Sequence, residues 1–155
     1  MNSDLYKVAI IKASWHRAII DGFASGLTGH LEDHDKRFTV DTFEVPGVVE
    51  IPLFAQKLIG SGRYGMLVVT GLIADHGVYR HEFVASSVMH SIMKLQMSSG
   101  VPIIYGILTP QDFASEGREE FFKAHFVQKG IEAAQACITT AKNFHQVNEL
   151  SRFAS

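Results

Sequence analysis

The chain has 155 residues, of which 46% are hydrophobic and 19% are charged, a composition typical of one globular domain and unlike that of a disordered or fibrous protein. Its formal net charge of -2 provides no basic surface for nucleic acid. No apolar run approaches the ~20 residues that cross a bilayer, and the start Met1-Asn2-Ser3-Asp4 lacks the basic and apolar regions of a signal peptide, so we expect a cytoplasmic protein without a membrane partner.

The first half of the chain predicts two strand-helix units. The apolar run Lys7–Ala13 predicts a strand, and the following segment predicts a helix from Trp15 to about Leu31. A second strand is predicted at Phe38–Val45, where polar and apolar residues alternate more, so it should lie at an edge of the sheet. The next helix begins near Pro46-Gly47 and runs toward Leu58, with Pro52 near its first turn, where a missing N–H costs little.

The second half repeats this pattern. Strands are predicted at Gly65–Ile73 and Pro102–Thr109, and the helix between them ends at Gly100-Val101-Pro102. Residues at spacings of three and four predict one apolar stripe on this helix: Val84, Ser87, Val88, Ser91, Ile92 and Leu95. A last helix is predicted from Gly130 to about Leu150. Alternating strands and helices with mostly unbroken apolar runs predict one α/β domain with a parallel sheet between helices.

The helices also bring many apolar and small residues to surfaces that one subunit hardly covers. This favours self-association, although several of these residues could equally belong to the core. The single cysteine, Cys137, excludes an internal disulfide, and its alanine neighbours favour helix packing over a reactive thiol.

Polar groups cluster where the third strand meets the next helix, in the segment 71–84. The carboxyl ends of parallel strands and the N-termini of the following helices form a crevice whose free N–H groups favour anions, so we predict a ligand site there. Other motifs fail on their context. The segment Gly60–Gly65 has the spacing G-x-G-x-x-G but precedes a strand, so it is a turn and not a dinucleotide loop. We find no metal-ligand motif among the eight histidines and no Gly-x-Ser-x-Gly elbow of a hydrolase.

The segment after the second strand, Val-Pro-Gly-Val-Val-Glu-Ile-Pro at 45–52, resembles the Val-Pro-Gly-x-x-Glu-Ile-Pro signature of lumazine synthases. The chain is also similar to this family in order over nearly its whole length, from Gly71 onward and at Tyr79–Val84, Gly100–Pro102, Leu108–Pro110 and Lys129-Gly130. The Tyr-Arg-His-Glu-Phe-Val form, with Trp-His after the first strand, resembles the second type of the enzyme, found in rhizobial and Brucella-like bacteria.

This resemblance implies a flavodoxin-like three-layer α/β/α sandwich with a four-stranded parallel sheet. It also implies the condensation of 5-amino-6-(D-ribitylamino)uracil with 3,4-dihydroxy-2-butanone 4-phosphate to 6,7-dimethyl-8-ribityllumazine and inorganic phosphate, without a metal or organic cofactor. The family's active sites lie between subunits, so activity implies at least a pentamer, and similarity to the second type favours a decamer. The alternative function is a binding oligomer whose pocket holds riboflavin or a related flavin with little or no turnover.

The resemblance assigns most substrate-binding roles to the ends of strands. Trp15 would stack on the heterocycle, Glu50 would accept hydrogen bonds from the ribityl hydroxyls, and Tyr105 would cover a ring bound by a neighbouring subunit. Residues beside these would supply main-chain groups or a wall to the pocket: Val48, Val49, Leu72, Ile73 and Ala74. Without the resemblance, Trp15 and Tyr105 would be interpreted as packing residues and Glu50 as a helix N-terminal charge.

The remaining assignments concern phosphate and protons. Gly77 and Val78 match a turn that binds phosphate through backbone N–H groups. Arg80 stands where the commoner type has a proton-carrying histidine; its guanidinium could stabilise phosphate or an oxyanion but is a poor proton carrier. His81 is the nearest substitute, with a surface or packing histidine as the alternative. His76 is a weaker candidate for the same role and is expected to be a loop residue. Arg118, in the segment before the last helix, is predicted to be the second phosphate-binding side chain, a role that His125 or Lys129 could take instead.

Overall fold

A computed structural model describes residues 5–152 of the chain. Residues 1–4, on which the expectation about a signal peptide rests, lie outside the described residues. The elements in chain order are β1 Tyr6–Ala13, α1 Arg17–His34, β2 Phe38–Val45, α2 Ile51–Gly60, β3 Met66–Leu72, α3 His81–Ser99, β4 Ile103–Leu108 and α4 Arg118–Arg152, with a short 3-10 turn at Val48–Glu50 before α2.

The four strands form one parallel sheet in the order β2-β1-β3-β4. In its middle, Ile10 of β1 pairs with Thr42 on one side and Val68 on the other. Every residue of β3 is buried, whereas β2 alternates and lies at an edge, as predicted. The predicted fold class is confirmed: helices cover both faces of the sheet, giving a flavodoxin-like three-layer sandwich.

Two cores lie on opposite faces of this sheet because neighbouring residues of a strand point in opposite directions. On the α1/α4 face, Ile10 and Val68 pack with fully buried side chains of the two helices: Phe23, Leu27, Leu31 and Phe126. On the α2/α3 face, Ile11 and Val69 pack with Ile51, Ala55, Val88 and Ile92.

The helices α1 and α4 approach each other closely because both carry glycine at their crossing. A Cβ on Gly130 would lie 2.1 Å from the backbone oxygen of Phe23, and one on Gly26 would lie 2.4 Å from the backbone oxygen of Val127. Cys137 of α4 is fully buried, which confirms the prediction that it packs within a helix contact. Burial raises the pKa of its thiol to about 12.

The predicted start of the last helix is wrong, because α4 begins at Arg118 and not at Gly130. Its first turn contains Glu119 and Glu120, which the helix dipole favours at an N-terminus. Phe122 and Phe126 then extend the buried face of the helix toward its start. Gly130 is therefore a contact point in the middle of the helix.

The prediction of a single apolar stripe on α3 is also corrected. Val88 and Ile92 are buried as expected, but the two serines of the stripe are exposed. Three methionines spaced four residues apart form a second, exposed apolar stripe: Met89, Met93 and Met97. Within residues 5–152, no helix combines the length and apolarity that crossing a bilayer requires.

Candidate active site

A cavity of about 430 Å³ opens at the carboxyl ends of β1 and β3, beside the N-terminal ends of α2 and α3. It brings together most of the sequence-predicted positions: Trp15, Val48, Val49, Glu50, Leu72, Ile73, Ala74, Arg80 and His81. This is the place where open α/β sheets bind ligands, because strand ends and helix N-termini leave main-chain groups unpaired there.

Close backbone packing shapes one wall of this cavity. A Cβ on Gly71 would lie only 2.5 Å from Cγ1 of Val48, so glycine allows the 3-10 turn before α2 to rest against the end of β3. Ser14 fixes the other side of the turn, because its hydroxyl donates to the carbonyl of Pro46 at 2.8 Å. The segment 46–50 is thereby held against the ends of both central strands.

At the cavity, Trp15 offers a flat indole and Glu50 offers a carboxylate. The side chain of Trp15 is 71% exposed, so it does not pack in the core of this chain. Glu50 directly precedes α2 and is exposed, and its Oε2 lies 3.2 Å from the position that a Cβ on Gly47 would take. An indole face and a carboxylate at the same opening can contact a flat heterocycle and its hydroxylated side chain.

The loop between β3 and α3 forms the opposite side. The carboxylate of Asp75 accepts the N–H of Gly77 at 2.8 Å, and Gly77 has a φ of 71°, which favours glycine. His81 opens α3, and its Nδ1 lies 3.8 Å from Oδ1 of Asp75 and 3.7 Å from Oε2 of Glu82. Arg80 is exposed, with its guanidinium carbon 5.6 Å from the ring centre of Phe83. The start of α3 thus brings together one guanidinium, one imidazole and two carboxylates.

Four predicted positions do not line this cavity within one chain. Gly77 and Val78 lie in the adjoining exposed turn. Tyr105 is half-buried in β4 against the α2/α3 core, and burial raises the pKa of its phenol. Arg118 lies in the first turn of α4.

Arg118 is held by aromatic rings near that helix start. Its guanidinium carbon lies 5.1 Å from the ring centre of Phe121 and 5.0 Å from that of Phe122, and Nη2 donates to the carbonyl of Gln111 at 3.3 Å. Its Nε is buried and has no hydrogen-bond partner among the described residues.

The two alternatives to Arg118 have contacts on α4 itself. The ring of His125 stacks on Phe121 at 5.3 Å, and Lys129 pairs with Glu132 at 2.7 Å.

Sequence reasoning missed one cluster, formed by His16, His76 and Phe113. His16 and His76 both line the cavity, with ring centres 6.5 Å apart, and the rings of His16 and Phe113 form an edge-to-face pair with their centres 5.1 Å apart. In the sequence, His16 is distinguished only by its place in the Trp-His resemblance, and His76 is a weaker proton-carrier candidate expected to be a loop residue. No local pattern could reveal the cluster, since its members come from three separate connections.

The prediction that the histidines contain no metal-ligand motif is wrong for the sequence, because His30 and His34 have the spacing His-x-x-x-His. His30 and His34 lie four residues apart on α1, and their rings stack at 4.0 Å with an angle of 13°. Nearly parallel rings do not direct their nitrogens at one point, as a chelated metal requires. Throughout residues 5–152, no group of three or more histidine, cysteine or acidic side chains forms a possible metal site.

The chain is similar to known proteins over most of its length. The family model described as 6,7-dimethyl-8-ribityllumazine synthase matches residues 5–145. A 6,7-dimethyl-8-ribityllumazine synthase of Rhodococcus erythropolis is 42% identical over 139 residues, covering 88% of this chain and 90% of the relative. Proteins named 6,7-dimethyl-8-ribityllumazine synthase 2 are similar too, at 43% identity in Bradyrhizobium diazoefficiens (86% of this chain, 81% of the relative) and 40% in Pseudomonas syringae pv. tomato (93% and 86%).

Proposed function

Because this chain belongs to the 6,7-dimethyl-8-ribityllumazine synthase family, we propose that the cavity at the ends of β1 and β3 is its active site. The chain is an enzyme of riboflavin biosynthesis, which condenses 5-amino-6-(D-ribitylamino)uracil with 3,4-dihydroxy-2-butanone 4-phosphate and releases 6,7-dimethyl-8-ribityllumazine and phosphate. The observation that carries the assignment of the site is that one cavity holds an exposed indole, a carboxylate and a guanidinium.

The pyrimidine substrate occupies the side formed by β1 and α2. The indole of Trp15 stacks on the heterocycle, the main chain of Leu72–Ala74 contacts its polar edge, and Glu50 accepts hydrogen bonds from the ribityl hydroxyls. Val48 and Val49 complete this wall. Holding two reactants in contact supplies much of the acceleration, because a bimolecular condensation becomes effectively unimolecular.

The phosphorylated substrate occupies the side at the start of α3. Val78 presents its backbone N–H in the exposed turn, Gly77 would do so once its N–H leaves the carboxylate of Asp75, and the N-terminus of a 19-residue helix favours an anion nearby. Arg80 stabilises the phosphate as it leaves, since guanidinium keeps its charge and forms two parallel hydrogen bonds to such groups. His81 carries the proton that the departing phosphate requires.

A neighbouring subunit completes the site. Tyr105 and Arg118 lie outside the cavity of their own chain, and the exposed apolar residues of α2 and α3 provide a surface for a second copy. We therefore propose a pentamer as the minimum active unit and a decamer as the assembly. A cytoplasmic location belongs to the same proposal, because a phosphorylated substrate does not cross a bilayer unaided.

The test is a steady-state assay with both substrates that follows lumazine and phosphate against a protein-free control, which corrects for the spontaneous reaction. Unaltered protein should form lumazine saturably, well above the control. Arg80→Ala should raise the KM for the phosphorylated substrate about tenfold or more, since it removes a charge-assisted contact.

Arg63→Ala serves as the matched control, because Arg63 is an exposed arginine outside the cavity, in the turn before β3. An unchanged KM in Arg80→Ala would show that the role given to Arg80 is wrong. Folded, oligomeric protein that binds riboflavin without exceeding the control rate would favour the flavin-binding alternative.

A further inference from the structure

Two imidazoles that the proposed function leaves without a role line the active-site cavity. His16 follows β1, and His76 lies in the loop after β3. Their ring centres are 6.5 Å apart with an angle of 25° between the planes, a separation that one water molecule can bridge. His16 is half-buried and His76 is exposed, so the pair connects the cavity with solvent.

The backbone holds His16 in an unusual conformation. It adopts φ 57° and ψ 42°, in the left-handed region that side chains other than glycine rarely enter. Its carbonyl accepts the N–H groups of Ile19 and Ile20 at 3.0 and 3.1 Å, so the first turn of α1 fixes this geometry. The ring edge rests on Phe113, which is buried. Such strain persists only where the surroundings enforce it, and it is concentrated at functional sites.

The surroundings of His16 favour its uncharged form. Burial lowers its pKa from the ordinary value of 6.5, the neighbouring His76 lowers it further, and Glu119 of α4 opposes both effects. The other charged or titratable groups that line the cavity are Glu50, Tyr79, Arg80 and His81. A neutral imidazole has one nitrogen that donates and one that accepts, which the permanently charged Arg80 cannot provide.

We propose that His16 is a catalytic residue that carries protons during imine formation, and that His76 keeps His16 neutral between turnovers by passing a surplus proton to solvent. This inference rests on the proposed function, because it needs both substrates in the same cavity. It divides the chemistry between two sides of the site: His81 serves the departing phosphate, and His16 serves the condensation beside Trp15.

The proton transfers balance. As the amino nitrogen of the pyrimidine attacks the ketone carbon, a C–N bond forms and the carbonyl π bond breaks; His16 accepts one N–H proton and returns it to the carbonyl oxygen. A second N–H proton follows the same route to the resulting hydroxyl. The hydroxyl leaves as water while the C=N bond forms, and His16 is neutral again.

Two variants separate this chemistry from an effect on folding. His16→Asn retains a polar side chain that tolerates the left-handed region but does not titrate, and His16→Gly suits the same backbone and leaves space for free imidazole. We expect His16→Asn to lower kcat about 100-fold, a typical loss for a missing proton carrier, with the KM of each substrate changed less than about threefold. Free imidazole should raise the kcat of His16→Gly at least about tenfold.

The pH profile provides an independent readout. Because the reaction needs neutral His16 and its pKa is lowered, the kcat of the unaltered enzyme should fall as pH drops below 6.5, and His16→Asn should lack that fall. His90→Asn is the matched control: His90 is exposed on α3, outside the cavity, and its Nδ1 contacts the carbonyl of Ser86 at 2.9 Å. It should change neither kcat nor the profile.

Two results would contradict the proton-carrier role of His16. A kcat within twofold of the unaltered enzyme in His16→Asn would overturn it, and so would a loss of kcat that leaves the acidic limb in place and that imidazole does not reverse. If the unaltered protein itself makes no lumazine above the control, the proposed function fails, and the proton-carrier role fails with it.

Discussion

The two faces of the sheet are covered to different degrees within one chain. On the α1/α4 face, the largest side chains are fully buried, and glycines bring the two helix backbones into contact. On the α2/α3 face, the helices bury a few residues each and leave large apolar side chains exposed, including Leu53 and Phe83 at 63%.

The difference lies in how closely the two helices of each face pack against each other; the later part of α4 also exposes apolar side chains, with Phe144, Val147 and Leu150 at 48% or more. The α1/α4 face has the close packing of a finished interior, where each added methylene is felt. The α2/α3 face has the exposed apolar area of a surface that another protein covers. The proposed active-site cavity opens beside this second face, at the start of α2 and α3. In the proposed oligomer, a neighbouring subunit would cover that face and complete the site.

The largest expected effect is a loss of stability on the α1/α4 face. Gly130→Ala should lower the free energy of unfolding by about 3 kcal/mol, because its Cβ would lie 2.1 Å from the backbone oxygen of Phe23 and one helix must move. Urea denaturation measures this change. Gly29→Ala is the control, since Gly29 lies in α1 with no atom within 4 Å of the added Cβ, and it should stabilise the protein by about 0.5 kcal/mol. Equal effects of the two substitutions would contradict the close contact.

A smaller effect, on the stability of the proposed oligomer, is expected on the α2/α3 face. The double substitution Met89→Lys and Met93→Lys should raise the protein concentration at which the oligomer dissociates about tenfold or more, since two charges would enter an apolar contact. Sedimentation velocity over a dilution series measures this, and circular dichroism should show an unchanged fold. The control places the same pair on α4, as Gln135→Lys and Thr139→Lys. If both pairs leave the assembly intact, the exposed stripe of α3 is not an interface.

The smallest effect comes from removing one atom, the sulfur of Cys137, from the α1/α4 core. Cys137→Ala should cost about 1 kcal/mol, because it removes one buried heavy atom from the α1/α4 core. In the unaltered protein, a thiol reagent at pH 8 should label Cys137 only after denaturant is added, because burial raises the pKa of this thiol to about 12. Rapid labelling of native protein would mean that this face opens far more often than its packing indicates.

The sequence predicted the strands well because their signal is local. The unbroken apolar run of β3 reflects burial on both faces, and the alternation in β2 reflects its place at an edge. The start of α4 was missed because Gly130 looks like a helix boundary. It lies at a helix crossing, which only the tertiary structure reveals.

The residues of the candidate site also divide into those that local sequence motifs predict and those that only the tertiary structure reveals. Positions within contiguous motifs, such as Glu50 and Arg80, were identified from sequence and line one cavity. His16, His76 and Phe113 were not, because their proximity depends on the left-handed backbone of His16 and on three connections that meet at the end of the sheet. Tyr105 and Arg118 lie outside this cavity, and their roles depend on the proposed assembly.

The contact between Gly71 and Val48 has a consequence for evolutionary variation. Any side chain at position 71 would carry a Cβ within 2.5 Å of Cγ1 of Val48, so the two positions are not free to change one at a time. A homologous chain with alanine or serine at position 71 should carry a smaller residue at position 48. The two sites should therefore vary as a coupled pair, although 23 positions separate them along the chain (71 minus 48).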